Sequence, residues 1–219
     1  MILYALLSVP LLLYLYVGLG VISRPLDPPV FRRPLLKGAA SFPFFAALLL
    51  VMTISMEKRF SQEELFRYFL LRDALVIPFL VGGCSRFATR KLLLRGDWEL
   101  FTGMLVYTGT VYTLLALTEI AVGGHYYGPY DLFLRPTLRL VQLTVLTASV
   151  VTVIRHQGST RWIAVLAILA LPPVTAYVGT LEATFRLLPS LFLTILLLGI
   201  GVVAIGVGPA LGYVKPRPD

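Results

Sequence analysis

The sequence predicts an all-α fold: a polytopic membrane protein, a bundle of about seven transmembrane helices with its N-terminus outside and its C-terminus cytoplasmic. Three observations carry that expectation. Of 219 residues, 58% are hydrophobic and 14% charged, with a mean hydropathy of +0.85. Soluble domains run near 45–50% apolar and about 25% charged. The apolar side chains are gathered into seven runs, most of them near the roughly 20 residues that cross a bilayer. The formal net charge of +8 falls on one side of the topology that seven spans impose. A water-soluble core of this size has no room for so much apolar side chain, so the composition excludes a soluble enzyme, a disordered chain and a secreted disulfide scaffold.

The runs follow in order. Ile2–Ser23 has no basic start, because Met1 is followed at once by Ile2 and Leu3, and no clear small-x-small site precedes Arg24. It is expected to be a retained span rather than a signal peptide. A connection rich in proline and basic residues, Arg24–Gly38, leads to the second run, Ala39–Met56. The third, Ala74–Ala88, is short as written. Ser61 and Glu64 have capping-box spacing, and Phe60 and Leu65 occupy the flanking staple positions. That pattern starts a helix at Gln62, runs it through Leu65–Leu71 into the third span, and bends it near Pro78.

Trp98–Val122 is the fourth run and Thr137–Ile154 the fifth. Pro136 suits the first turn of span five, Arg155 and His156 its last turn, and Gly158 the position just beyond. In the sixth, Trp162–Val178, Thr160 is placed to cap the start and Gly179 to end it. Pro172-Pro173 is expected to kink or break that helix, because neither residue has a backbone donor. Within lipid such a break needs cover from neighbouring helices or a cavity. Ser190–Val214 is the seventh. With short connections and no internal repeat, residues 1–219 read as a single transmembrane helical domain.

Seven spans put the termini on opposite sides. One side collects Arg24, Arg32, Arg33, Lys37, Arg86, Arg90, Lys91, Arg95, Arg155, Arg161, Lys215 and Arg217 against the acids Asp27, Asp97, Glu99 and Asp219. On the other side, acids and bases balance. A Lys/Arg excess marks the cytoplasmic face, which places the chain as a multi-pass protein of the cell's inner membrane. The same rule accounts for the basic pI without nucleic acid. Anionic lipid head groups on the cytoplasmic face are the expected partners.

One cysteine, Cys84, excludes an intrachain disulfide and a CxxC couple. The two histidines, His125 and His156, flank apolar runs and do not form a haem pair. No metal, cofactor or catalytic group is expected. Span four is rich in hydroxyls, Thr110 and Thr113 among them, and carries Glu119 one turn before its end. Span five adds Arg139, Gln142, Thr144, Thr147, Ser149 and Thr152, of which Arg139, Gln142, Ser149 and Thr152 share one helical face. The connection Gly123–Asp131 holds three tyrosines with His125 and Asp131.

These residues predict a polar path between spans four and five, with an outer vestibule of Glu119, His125 and Asp131, hence a transport or channel-type protein. The alternative is a non-catalytic subunit of a larger membrane complex, its partner met through the small residues Ala204, Gly208 and Gly212 of span seven. A lipid-processing enzyme using the outer acids and His125 is a third reading. Arg72-Asp73 interrupts the third run as a candidate intramembrane charge pair. Glu63-Glu64 precedes Arg67 by two intervening residues, where the CAAX-protease-like membrane family has three, and neither histidine fits that family's pattern. No family is assigned.

Overall fold

The computed structural model describes residues 28–54, 62–94, 96–123, 135–155 and 157–183, with isolated positions between 189 and 196. These residues are helical throughout, with no strand among them. Six α-helices appear in chain order: α1 (Pro28–Ile54), α2 (Gln62–Phe69), α3 (Ile77–Ala88), α4 (Asp97–Gly123), α5 (Arg135–Arg155) and α6 (Ser159–Ala183). A π-helical segment, Leu70–Val76, joins α2 to α3, and a 3₁₀ turn, Arg90–Leu94, follows α3. Spans one and seven lie outside the described residues, apart from a few positions near 192–196. One of these, Leu193, packs with Val174 against Val178.

Several boundaries match the sequence grammar. A helix begins at Gln62 and continues, through the π segment, to Ala88. Ser61 itself lies outside the described residues. Pro136 sits in the first turn of α5, where its missing amide hydrogen is no loss. Gly158 has φ +79°, the left-handed conformation that ends a helix at little cost to glycine.

Others differ for definable reasons. Span two starts eleven residues before Ala39, at Pro28, so most of the expected Arg24–Gly38 connection is helix. Pro28 and Pro29 occupy a first turn that needs no amide donors. Pro34 and Pro43 lie inside α1, each removing one ladder bond without ending the helix. Pro172 and Pro173 likewise sit inside α6, which runs on to Ala183. The helix is kept through both, so the expected break does not occur, and the Thr175 hydroxyl donates to the Pro172 carbonyl at 2.9 Å. Gly179 does not end α6. A side chain there would meet the Phe69 ring at 3.2 Å, so this glycine seats α6 against the end of α2. Helix α6 begins at Ser159, one residue before the expected cap Thr160.

The π segment has a local cause. Pro78 has no N–H to give, and its ring would crowd the carbonyl one turn back. The ladder opens before it, and the Ile77 amide reaches back to Arg72. The bend expected near Pro78 takes the form of this widened turn.

Helix α4 is the axis of the bundle. It packs most extensively on α1 and also on α3 and α5, while α6 lies against α5, α2 and the π segment. Every residue from Leu100 to Val111 is buried. One face, with Leu100, Met104 and Leu105, meets Leu143, Ala148 and Val151 of α5. Further along the helix, Tyr107, Val111 and Leu115 meet Phe45 and Leu49 of α1 and Ile77 and Val81 of α3.

Among the described residues, two segments are long and apolar enough to cross a membrane, Pro29–Met52 and Ser159–Leu181, each with a mean hydropathy of 1.9. Both carry large apolar side chains on the outside of the bundle. On α6 these include Trp162 (69% exposed), Ile163, Leu166 (64%), Leu169 and Tyr177 (50%), and on α1 Leu36, Phe44 and Val51.

Candidate functional site

The hydroxyls of α4 and α5 were the sequence's leading feature, and the structure places them inside. Thr102, Thr108, Thr110, Thr113, Thr144, Thr147, Ser149 and Thr152 are all buried. Most of those on α4 are spent within their own helix. Thr110 donates to the Val106 carbonyl at 2.7 Å and Thr113 to Gly109 at 2.8 Å. Thr108 is shared between Met104 and Leu105, and Thr118 donates to Leu114. On α5, Thr152 donates to Ala148 at 2.9 Å. A hydroxyl bonded to the carbonyl one turn back is satisfied without a partner helix. Thr102 is the exception: its Oγ1 is buried and has no hydrogen-bond partner among the described residues.

The other path candidates are placed less fully. Glu119 lies on α4 one turn before its end, and Arg139 lies one turn into α5, so the backbone brings both to the same end of two neighbouring helices. Gln142, a further turn into α5, is half-buried. The side chains of Glu119 and Arg139, and the whole of His125, Asp131, His156, Ala204, Gly208 and Gly212, lie outside the described residues. Arg72 is half-buried in the π segment. Its guanidinium sits 4.7 Å from the centre of the Tyr68 ring and 5.8 Å from that of Phe69, and it donates to the Tyr68 hydroxyl. Arg72 thus has aromatic and hydroxyl partners one turn back, which lowers the cost of a cation at this position. The Asp73 side chain lies outside the described residues.

Sequence reasoning missed two polar junctions. The first ties α1 to α4. Gly38 lets the two backbones approach: a Cβ there would stand 3.0 Å from the Tyr107 carbonyl oxygen and 3.1 Å from the Thr110 Cβ. One turn on, Ser41 Oγ lies 3.0 Å from the Gly38 carbonyl and 2.8 Å from the Tyr107 hydroxyl. With the serine proton on Gly38, Tyr107 donates to Ser41. Cys84 of α3 is also close to that hydroxyl. The small residues at 38 and 41, one helical turn apart, were the available signal.

The second junction closes one end of the bundle. Arg155, in the last turn of α5, donates to the Leu93 carbonyl at 2.7 Å and pairs with Asp97 at 3.1 Å. Asp97 begins α4, where a carboxylate also suits the helix dipole. Lys37 of α1 donates to the Ala88 carbonyl at the end of α3, at 2.6 Å. Arg155 and Lys37 thus satisfy carbonyls at helix or turn ends on the same end of the bundle.

No family model, no curated protein and no solved structure matches this chain.

Proposed function

We propose that the chain is a multi-pass protein of the cell's inner membrane, with seven spans, its N-terminus outside and its C-terminus cytoplasmic, and that it serves as a non-catalytic subunit of a larger membrane complex. The observation that carries the reading is the enclosure of α4. It is the described helix richest in hydroxyls, it is buried on all sides from Leu100 to Val111, and its threonines are mostly bonded to their own backbone. Such a helix is a packing element. The outer stripe of α6 supports the membrane part of the reading. Trp162 and Tyr177 bracket Leu166 and Leu169 on that stripe, and the two aromatics are separated by about 22 Å of helix at 1.5 Å per residue. Aromatic residues at both ends of an apolar stripe mark the two interfaces of a bilayer.

The test is the size of the native particle. Extracted in mild detergent at native expression, the chain is expected in a stoichiometric assembly well above its own 24.2 kDa. Recovery as a lone monomer overturns the subunit reading.

Transport between spans four and five is the second reading. It is favoured by one placement: Glu119 and Arg139 come to the same end of adjacent helices, with half-buried Gln142 one turn deeper. Purified protein in sealed liposomes that conducts ions or solute, with conduction lost in Glu119→Gln, would establish this reading over the first.

A further inference from the structure

We propose that the basic end of the bundle is a binding surface for the phosphodiester head groups of anionic phospholipids, built between the start of α1 and the turn after α3; this rests on the membrane reading above. Three contacts assemble it from segments distant in sequence. Lys37 bonds the Ala88 carbonyl, which brings the start of α1 to the end of α3. A side chain at Gly103 would meet Leu92, Thr89 at 3.3 Å and Pro34 at 3.5 Å, so the second turn of α1 and the 3₁₀ turn converge on the same point of α4. Arg155 bonds the Leu93 carbonyl, which adds the end of α5 and the start of α6.

The charges that these contacts gather are Arg32 and Arg33 on α1, Arg86 on α3, Arg90 and Lys91 on the turn, and Arg161 on α6. All six are exposed. None takes part in an ion pair among the described residues. Among the described residues the acids at this end do not balance them, since Asp97 is held by Arg155 and Glu99 alone remains. Exposed apolar side chains adjoin the cations in sequence: Phe87, 76% exposed, lies next to Arg86, and Trp162 lies next to Arg161. Unpaired cations beside outward-facing aromatics match a lipid, whose phosphate and acyl chain are joined. Arginine favours this ligand, because its planar fork takes two phosphate oxygens at once.

The experiment uses the full chain reconstituted in phosphatidylcholine bilayers, with and without phosphatidylglycerol, reading thermal unfolding and the lipids retained in native mass spectrometry. Phosphatidylglycerol is expected to raise the midpoint and to remain bound. Replacing Arg90 and Lys91 together with Gln, or Arg32 and Arg33 together with Gln, is expected to weaken retention roughly tenfold or more, since each cation near an anionic surface contributes about a factor of five. Lys58→Gln with Arg59→Gln, beyond the far end of α1, removes the same charge and is expected to leave retention unchanged. Equal retention of the two lipids overturns the proposal, as does equal loss in the control pair. Stabilisation by inorganic phosphate in lipid-free detergent, matching that by phosphatidylglycerol, also overturns it in favour of a free-phosphate site. A chain that alkaline carbonate strips from membranes refutes the membrane reading itself, whereas an inserted chain without lipid preference refutes only the head-group site.

Discussion

Helices α4 and α6 are similar in length, 27 and 25 residues, and in apolar content, yet they sit differently. The hydroxyl-rich α4 is the more deeply buried, whereas α6 turns Trp162, Ile163, Leu166 and Leu169 outward. In water an outward stripe of this kind is costly, because burying apolar area is the main driving force for folding. In lipid that force vanishes between helices. Small and weakly polar residues then gather inside, where backbones approach closely, and aliphatic ones face the acyl chains. The comparison supports the proposed membrane setting: the outward stripe of α6 suits acyl chains better than water.

The sharpest way to break the comparison is to charge the outer stripe. Leu169→Asp on α6 is expected to cost about 3 kcal/mol of membrane insertion, the order measured for an aspartate at the centre of a spanning helix. In a water-soluble protein the same change at a 63% exposed position would cost almost nothing. Insertion efficiency in a membrane-translocation assay separates the two, and unchanged insertion with raised solubility would reverse the assignment of solvent.

The inner side of the comparison is tested at Gly38. A Cβ there presses on the Tyr107 carbonyl and the Thr110 side chain, and backbone does not move aside cheaply. Gly38→Leu is expected to lower stability by about 2 kcal/mol, within the 1–3 kcal/mol typical of overpacking. Gly83, which has open space around it, supplies the matched control: Gly83→Leu on the outward side of α3 is expected to leave the melting curve in detergent where it was. Equal effects at both positions would mean that α1 and α4 do not touch as described.

Arg155 reports on the boundary between the packed bundle and its surroundings. Its ion pair with Asp97 is about a quarter exposed on each side, so desolvation of the two charges offsets much of their attraction and the pair's own share is small. The larger loss in Arg155→Gln is the donor to the Leu93 carbonyl. A cost of about 1 kcal/mol is expected for that bond, largely insensitive to salt. A strong salt dependence of the difference between wild type and variant would show that the ion pair dominates instead.

These expectations also show where the sequence was readable. Local chemistry was legible when cause and effect lie within one turn. The helix start at Gln62 and the left-handed Gly158 follow from capping rules, and the end at Ala88 from the extent of the apolar run. Prolines misled where they were read as breaks. Pro28 and Pro29 begin α1, where no amide donor is needed, and Pro172 and Pro173 lie inside α6, whose packing on α5 and α2 carries the helix past them. Gly179 looked like a terminus, yet its role is set by Phe69, far away in the chain. No local pattern carries that information. The same holds for Ser41 with Tyr107, which are 66 residues apart. The hydroxyls of α4 were legible as residues, but whether each bonds its own helix or a neighbour depends on rotamers that composition does not encode.

The smallest effects bear on that last point and separate a dry helix from a wet one. Thr110 and Thr102 are both buried on α4, but Thr110 donates to the Val106 carbonyl, whereas the Thr102 hydroxyl has no hydrogen-bond partner among the described residues. Valine has nearly the shape of threonine, so replacing either removes a hydroxyl with little change in packing. Thr110→Val loses one bond inside a low-dielectric bundle and is expected to cost about 0.6 kcal/mol, the usual worth of such bonds in membrane proteins. Thr102→Val removes a desolvated group that has no bond to lose, so it is expected to be neutral or to stabilise by about 1 kcal/mol. The comparison is made by unfolding both variants in the same detergent. If Thr102→Val instead destabilises by more than Thr110→Val, a water or a polar ligand occupies the space beside Thr102. The interior of α4 would then be hydrated, and the transport reading would gain at the expense of the packed subunit.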